Sequence, residues 1–206
     1  PQRQQICVHA AWNLRGKPVP AEYGVDAGLV ASGAAGIVDG LRSLPSLSVV
    51  GSVDDLFGPE GLYANPLVEG LERAVSVEYI PPDGAAGFQI DCGARIAGGW
   101  SRKADTTRKF SLSLRFRADY GASRLEYPLF PGSRVTSFDV LRLRASQADA
   151  FYFFADKGQY LHDQWGRDTQ AAMGWLSARG RFVHLYLNGL YWGLYNLAEE
   201  PTAAFA

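Results

Sequence analysis

The chain has 206 residues, 47% of them hydrophobic and 20% charged, with a formal net charge of −1. That composition supports one buried core and excludes disorder, and the near-neutral balance excludes a nucleic-acid partner held by bulk positive charge. No apolar run reaches bilayer length, so no membrane span is expected, and the two cysteines (Cys7, Cys92) and three histidines (His9, His162, His184) are spaced as neither a disulfide framework nor a metal cluster.

The opening Pro1-Gln-Arg-Gln-Gln5 has neither an initiating Met nor a signal-peptide pattern and reads as part of a longer protein. Residues 1–43, rich in Gly, Ala and Pro, are expected to be an extended, loop-rich lead-in to a single lobe over residues 44–206. Leu44-Pro-Ser-Leu-Ser-Val-Val50 predicts a short apolar strand. Asp54-Asp-Leu-Phe-Gly58 predicts a helical turn with an Asp at its N-cap and glycine at its stop. Residues 72–80 place Val75, Val77 and Tyr79 on one face, Pro81-Pro-Asp-Gly84 turns the chain, and residues 88–96 return, which predicts a hairpin.

Gly98-Gly-Trp-Ser-Arg-Lys-Ala-Asp105 reads as a basic loop. Residues 109–117 alternate: Phe110, Leu112, Leu114 and Phe116 on one face, Lys109, Arg115 and Arg117 on the other. Residues 125–130 form a short apolar stretch closed by Pro131-Gly132. In Phe138-Asp-Val-Leu-Arg-Leu-Arg-Ala145, Leu141 and Leu143 oppose Arg142 and Arg144. A helix is expected near 160–175, with Leu161, Trp165, Thr169 and Ala172 along one stripe and Asp163 four residues before Arg167, the favourable order for an ion pair. Residues 181–199 predict a hairpin folded at Asn188-Gly189, because that turn needs positive φ twice. The expected register sets Leu187 against Leu190, Leu185 against Trp192 and Val183 against Leu194 on a buried face.

Three features carry candidate chemistry. Gly93-Ala-Arg-Ile-Ala-Gly-Gly-Trp-Ser-Arg102 is a glycine-rich turn able to cradle phosphate on its N–H groups, with Arg95, Ser101 and Arg102 beside it, although it fits no dinucleotide or Walker pattern. Lys109, Arg115, Arg117, Arg142 and Arg144 lie on the polar faces of two strands expected to be neighbours. Arg115 and Arg117 read as solvated, whereas Arg142 and Arg144, on an apolar strand, want an anionic partner such as Asp163. Tyr195-Asn-Leu-Ala-Glu-Glu-Pro201 is an exit strand whose backbone can meet a purine, ended by Pro201. No Gly-x-Ser-x-Gly elbow or separated carboxylate pair points to a hydrolase.

These runs, with Gly61-Leu-Tyr-Ala-Asn-Pro66, Asp163-Gln-Trp-Gly-Arg167 and above all Leu185-Tyr-Leu-Asn-Gly-Leu-Tyr-Trp-Gly-Leu-Tyr-Asn-Leu197, occur in one order that resembles the CotH family of spore-coat-protein-H-like atypical protein kinases. The resemblance covers roughly residues 20–200. It implies an α+β, kinase-like small lobe: a twisted, mainly antiparallel sheet with one bracing helix, incomplete at the C-terminus. It implies ATP with a divalent cation (Mg or Mn) and phosphoryl transfer to Ser or Thr of a coat or extracellular protein, and an extracellular, cell-surface or spore-coat location. Its catalytic and metal-binding acids follow the hairpin in the family and match nothing before Ala206. No catalytic base is carried over, and the fragment itself is expected to be inactive. The nucleotide-side candidates are Arg95, Arg102, Lys109, Arg142, Arg144, Asp163, Arg167 and Glu199. On this resemblance Arg102 or Lys109 touches phosphate, Arg144 takes the strand-cation position, and Asp163 or Asp168 orients it. Two other readings stand beside it: a non-catalytic structural or adhesion module, and a carbohydrate-binding β domain using Tyr186, Tyr191, Tyr195 and Trp100.

Overall fold

The computed structural model describes residues 11–14, 17–20, 27–103, 109–146, 149–150 and 157–201; Cys7 and His9 lie outside the described residues. Seven strands dominate it: β3 (Ser46–Gly51), β4 (Arg73–Ile80), β5 (Phe88–Ala97), β6 (Ser111–Arg115), β9 (Val140–Arg144), β10 (Gly180–Leu187) and β11 (Leu190–Glu199). They run β3-β4-β5-β6-β9-β11-β10 and close into a barrel where β10 meets β3. That closing contact is the one parallel pair, Ser46 opposite His184 through Val49 opposite Leu187; the other pairs are antiparallel. Among the described residues, outside the barrel lie two small ribbons, β1 (Ala11–Leu14) with β2 (Lys17–Pro20) and β7 (Leu125–Glu126) with β8 (Ser137–Phe138), and three α-helices, α1 (Ala27–Ser43), α2 (Val53–Phe57) and α3 (His162–Ala172).

Alternation builds the core. Val75, Val77 and Tyr79 of β4, Leu112 and Leu114 of β6, Leu141 and Leu143 of β9, and Val183, Leu185 and Leu187 of β10 are all buried. On β5 the most deeply buried side chains are small, Cys92 and Ala94, with Phe88, Ile90 and Ile96 packed against the core on either side, and large rings fill the barrel beside them. Trp192 is one of these rings, with Tyr63 edge-on at 5.4 Å and Phe57 at 5.8 Å. Tyr63 also meets Phe110 at 5.4 Å, so the turn after α2 adds a fully buried aromatic ring to this cluster.

The expectation of an α+β, kinase-like small lobe, a twisted, mainly antiparallel sheet with one bracing helix, is overturned. The sheet closes on itself, helices are few, and α3 buries no residue. Alternation tells which face of a strand is wet but not which strands are neighbours. The apolar strand β3 leaves no free edge, because β4 takes one side and β10 the other. The helix stripe is not a packing face either: Leu161 is 55% and Trp165 70% exposed, and Met173, Trp175 and Leu176 beyond the helix are exposed too.

Smaller differences have local causes. The lead-in was expected to be extended, yet α1 forms over its Ala-rich part, kinked at Gly33, where φ is −144° and ψ 27°. Ser52, not an Asp, holds the N-cap of α2. The final hairpin turns at Asn188 (φ 47°) and Gly189 (φ 79°) as expected, and Asn188 Oδ1 accepts a 2.9 Å bond from Gly51 N. Its register, however, slips by one between Leu185 and Tyr186: Leu185 opposes Gly193, His184 opposes Leu194, and Val183 opposes Tyr195. Trp192 stays on the buried face, and beyond it the β-bulge puts Tyr195 and Leu197 into the core and turns Leu194 aside.

Candidate functional site

With Leu141 and Leu143 committed to the core, Arg142 and Arg144 must point outward from β9. There they form a wall of a cleft of about 660 Å³, faced by Gly98 and Ser101 of the glycine turn, by His162 and Asp163 of α3, and by Glu199, Glu200 and Pro201 at the end of β11. The strand order makes the cleft, because β6 and β11 flank β9 on either side.

The polar groups are held in chains. Arg142 donates to Glu200 Oε1 at 2.5 Å, and Ser113 of β6 donates to the other Glu200 oxygen at 2.9 Å. Arg144 Nε lies 2.7 Å from Asp163 Oδ2, and Arg167 lies 3.4 Å from that oxygen. Arg167 also donates to Gln164 at 2.9 Å and to Asn196 of β11 at 2.5 Å, so α3 sits on the barrel through hydrogen bonds rather than apolar contact. Burial lowers the proton affinity of the Arg167 guanidinium, opposed by Asp163. Glu199 is 7% exposed; burial pushes its carboxyl up, while the Arg179 N–H that donates to it at 2.7 Å pulls the other way.

Asp149 anchors the rim. It accepts N–H bonds from Gln159 at 2.9 Å and His162 at 3.0 Å, and the His162 imidazole Nδ1 lies 2.6 Å away. Burial would raise its carboxyl, but these donors together hold it below the usual aspartate range. Leu161, the residue at the α3 N-cap, makes no side-chain cap, so Asp149 does that work from a distance in sequence.

The structure therefore brings Arg142, Arg144, Asp163 and Glu199 to one cleft, with Arg167 behind Asp163. Asp168 accepts from Gln164 at 2.8 Å and does not reach Arg144. The other candidates lie elsewhere. Arg95 donates to Glu72. Arg102 pairs with Glu69 at 3.5 Å, and Lys109 reaches over Gly193. Glu200, Asp149 and His162 were not foreseen as cleft residues; Glu200 was legible only as one of two adjacent acids, and Asp149 carries no motif. Of the residues proposed for a carbohydrate face, Tyr195 is buried with its hydroxyl on the Phe110 carbonyl at 3.1 Å, while Tyr186 and Tyr191 meet edge to face at 5.5 Å.

Chemically, two guanidiniums, the Ser101 hydroxyl and a glycine turn suit phosphate oxygens. Four carboxyl groups (Asp149, Asp163, Glu199, Glu200) stand against the two cations, so a bare polyanion is poorly matched and a cation-complexed one is matched better. Among the described residues no cluster of three His, Cys, Asp or Glu side chains is arranged to hold a metal by itself, and no helix is long and apolar enough to cross a membrane.

No curated protein gives a significant match to the chain. The family described as CotH kinase protein matches residues 94–206, more than half the chain, from the middle of β5 through β6, β9, α3, β10 and β11. The cleft is built almost wholly within that match, and the chain belongs to the CotH kinase protein family.

Proposed function

We propose that this chain carries the nucleotide-binding part of an ATP-dependent protein phosphotransferase acting on Ser or Thr hydroxyls. The observation that carries the reading is the pairing of Arg142 and Arg144, on one wall of the cleft, with Gly98 and Ser101 facing them. In this reading Arg144 and Arg142 meet phosphate oxygens, and Asp163 and Glu200 hold those guanidiniums in place when the cleft is empty of anion. The exit backbone from Glu199 to Pro201 lies against the base. Bound ATP with Mg or Mn supplies the transferable phosphoryl group, and the cation offsets the carboxyl excess of the cleft. The catalytic base and the metal-holding acids are assigned to no described residue. The chain is expected to bind nucleotide without transferring phosphate. An extracellular or spore-surface setting, and a coat or surface protein as acceptor, belong to the same proposal and rest on the family.

The test is calorimetric titration of the chain with ATP in the presence of Mg, of Mn and of a chelator. Saturable binding that needs the divalent cation and weakens in Arg144→Gln is expected. Binding that is absent, or insensitive to Arg144→Gln, overturns the assignment. One observation favours the structural or adhesion reading: Trp165, Met173, Trp175 and Leu176 are each more than 60% exposed, an apolar surface of the kind that meets other macromolecules. That reading predicts no nucleotide effect on the melting temperature.

A further inference from the structure

Glu72, just before β4, is the most heavily engaged carboxylate among the described residues. Arg95 of β5 donates to its Oε2, Arg115 of β6 lies 3.8 Å from that oxygen, Arg117 lies 3.5 Å from Oε1, and Tyr120 donates its hydroxyl to Oε1 at 2.9 Å. The arrangement follows from register: Gly93 opposes both Ala74 and Arg115, which stacks the outward positions of β5 and β6 beside the start of β4. It also needs the glycine, since a Cβ at residue 93 would lie 2.4 Å from Glu72 Oε1.

The numbers of donors and acceptors do not match. Glu72 is 9% exposed at its side chain, while Arg95, Arg115 and Arg117 are 29%, 31% and 38% exposed. One carboxylate offers about four lone-pair sites, and three guanidiniums carry about fifteen N–H donors. Tyr120 already uses one site, and Arg115 Nε has no hydrogen-bond acceptor. No other described acid forms an ion pair with these three arginines. Two positive charges are thus left over within the cluster, on side chains of β5, β6 and the turn after β6 that are each about a third exposed.

We propose that Arg95, Arg115 and Arg117, gathered on Glu72, form a binding site for a phosphate monoester or inorganic phosphate, separate from the cleft of Arg142 and Arg144. Glu72 positions the three guanidiniums as a tripod, and its own negative charge opposes an incoming anion, so removing that charge favours binding. Planar guanidiniums that converge from two strands and the turn after them can grip several phosphate oxygens at once. An incoming dianion neutralises the surplus without unpairing Glu72.

The experiment titrates the 206-residue chain at constant ionic strength with inorganic phosphate, with a phosphoserine peptide and with the same peptide unphosphorylated, read by calorimetry and melting temperature. Phosphate is expected to bind and raise the melting temperature above a chloride control. Arg117→Gln weakens binding about tenfold, Glu72→Gln strengthens it, and Arg144→Gln leaves it unchanged. If Glu72→Gln does not fold, Arg117→Gln, whose guanidinium is the most exposed of the three, carries the test. A phosphopeptide that binds more tightly than inorganic phosphate assigns the site to a protein-bound group, and equal affinity assigns it to the free ion. No phosphate effect beyond chloride, or an effect lost equally in Arg144→Gln, overturns the proposal. Neither result bears on ATP binding in the cleft, which is measured separately.

Discussion

Arg144 and Asp163 join β9 to α3 through a 2.7 Å contact that stays open to water, each side chain being 45% exposed. An ion pair so solvated contributes about 0–1 kcal/mol to folding. Its position in the cleft makes it more important for ligand than for stability. Arg144→Gln is expected to leave the urea midpoint nearly unchanged and to lower ATP affinity about tenfold or more. A large loss of stability with unchanged nucleotide binding would reverse that assignment.

Asp149 ties a distant loop to the first turn of α3 through the N–H groups of Gln159 and His162. Replacing it with Ala removes the only side chain that caps that helix among the described residues, a loss of about 1 kcal/mol. Its carboxyl is held below the ordinary aspartate range, so the folded state releases this proton more readily than the unfolded chain does. The stabilisation is therefore complete above the ordinary aspartate pKa and is lost as pH falls through the lowered value. His162 and Asp163 share the rim, so the measurement compares the pH dependence of urea unfolding in the native chain and in Asp149→Asn. The gap between them should close in acid.

How far these features could be read beforehand depended on the kind of signal. Phe110, Leu112, Leu114 and Phe116 alternate cleanly with charged or hydroxyl side chains, so the face of β6 was legible, as was the outward direction of Arg142 and Arg144. Partnership across strands was not. Glu72 meets Arg95, twenty-three positions away, only because Arg73 pairs with Ala94, and neither residue announces the other. The parallel contact of β10 with β3 was hidden for the same reason, and an open lobe is excluded only by the occupation of both edges of β3. The helix stripe misled differently: Leu161 and Trp165 have helical spacing but no apolar surface beneath them, because α3 is fastened through Arg167, Gln164 and Asn196.

Glu199 gives a pH effect of the opposite sign to Asp149. Burial raises its carboxyl, opposed by the Arg179 N–H and by the Arg179 and Arg167 charges, so the folded state keeps a proton that the unfolded chain has lost. Its contribution is full below the ordinary glutamate value of about 4.3 and declines as pH rises through the raised one. Glu199→Gln keeps an acceptor for Arg179 N but does not titrate. Its melting temperature relative to the native chain is expected to improve from about pH 4 to about pH 7. A constant difference across that window would place the Glu199 proton equilibrium at its ordinary value.

Two glycine-to-alanine changes separate the bulge from the helix by the sign of their effect. Gly193 lies at the register slip with φ at 132°, and a Cβ there would come 3.3 Å from Lys109 Nζ. Alanine must adopt a backbone conformation that side chains resist or straighten the bulge. Straightening would exchange Tyr195 and Leu197 for Leu194 and Asn196 in the core. A loss of about 1–3 kcal/mol is expected. Gly166 sits inside α3, and a methyl group there would meet nothing within 4 Å, so alanine should stabilise by about 0.5–1 kcal/mol. Equilibrium unfolding in urea measures both. The bulge argument fails if Gly193→Ala is neutral, since the hairpin would then tolerate the regular alternation that its aromatic residues also permit.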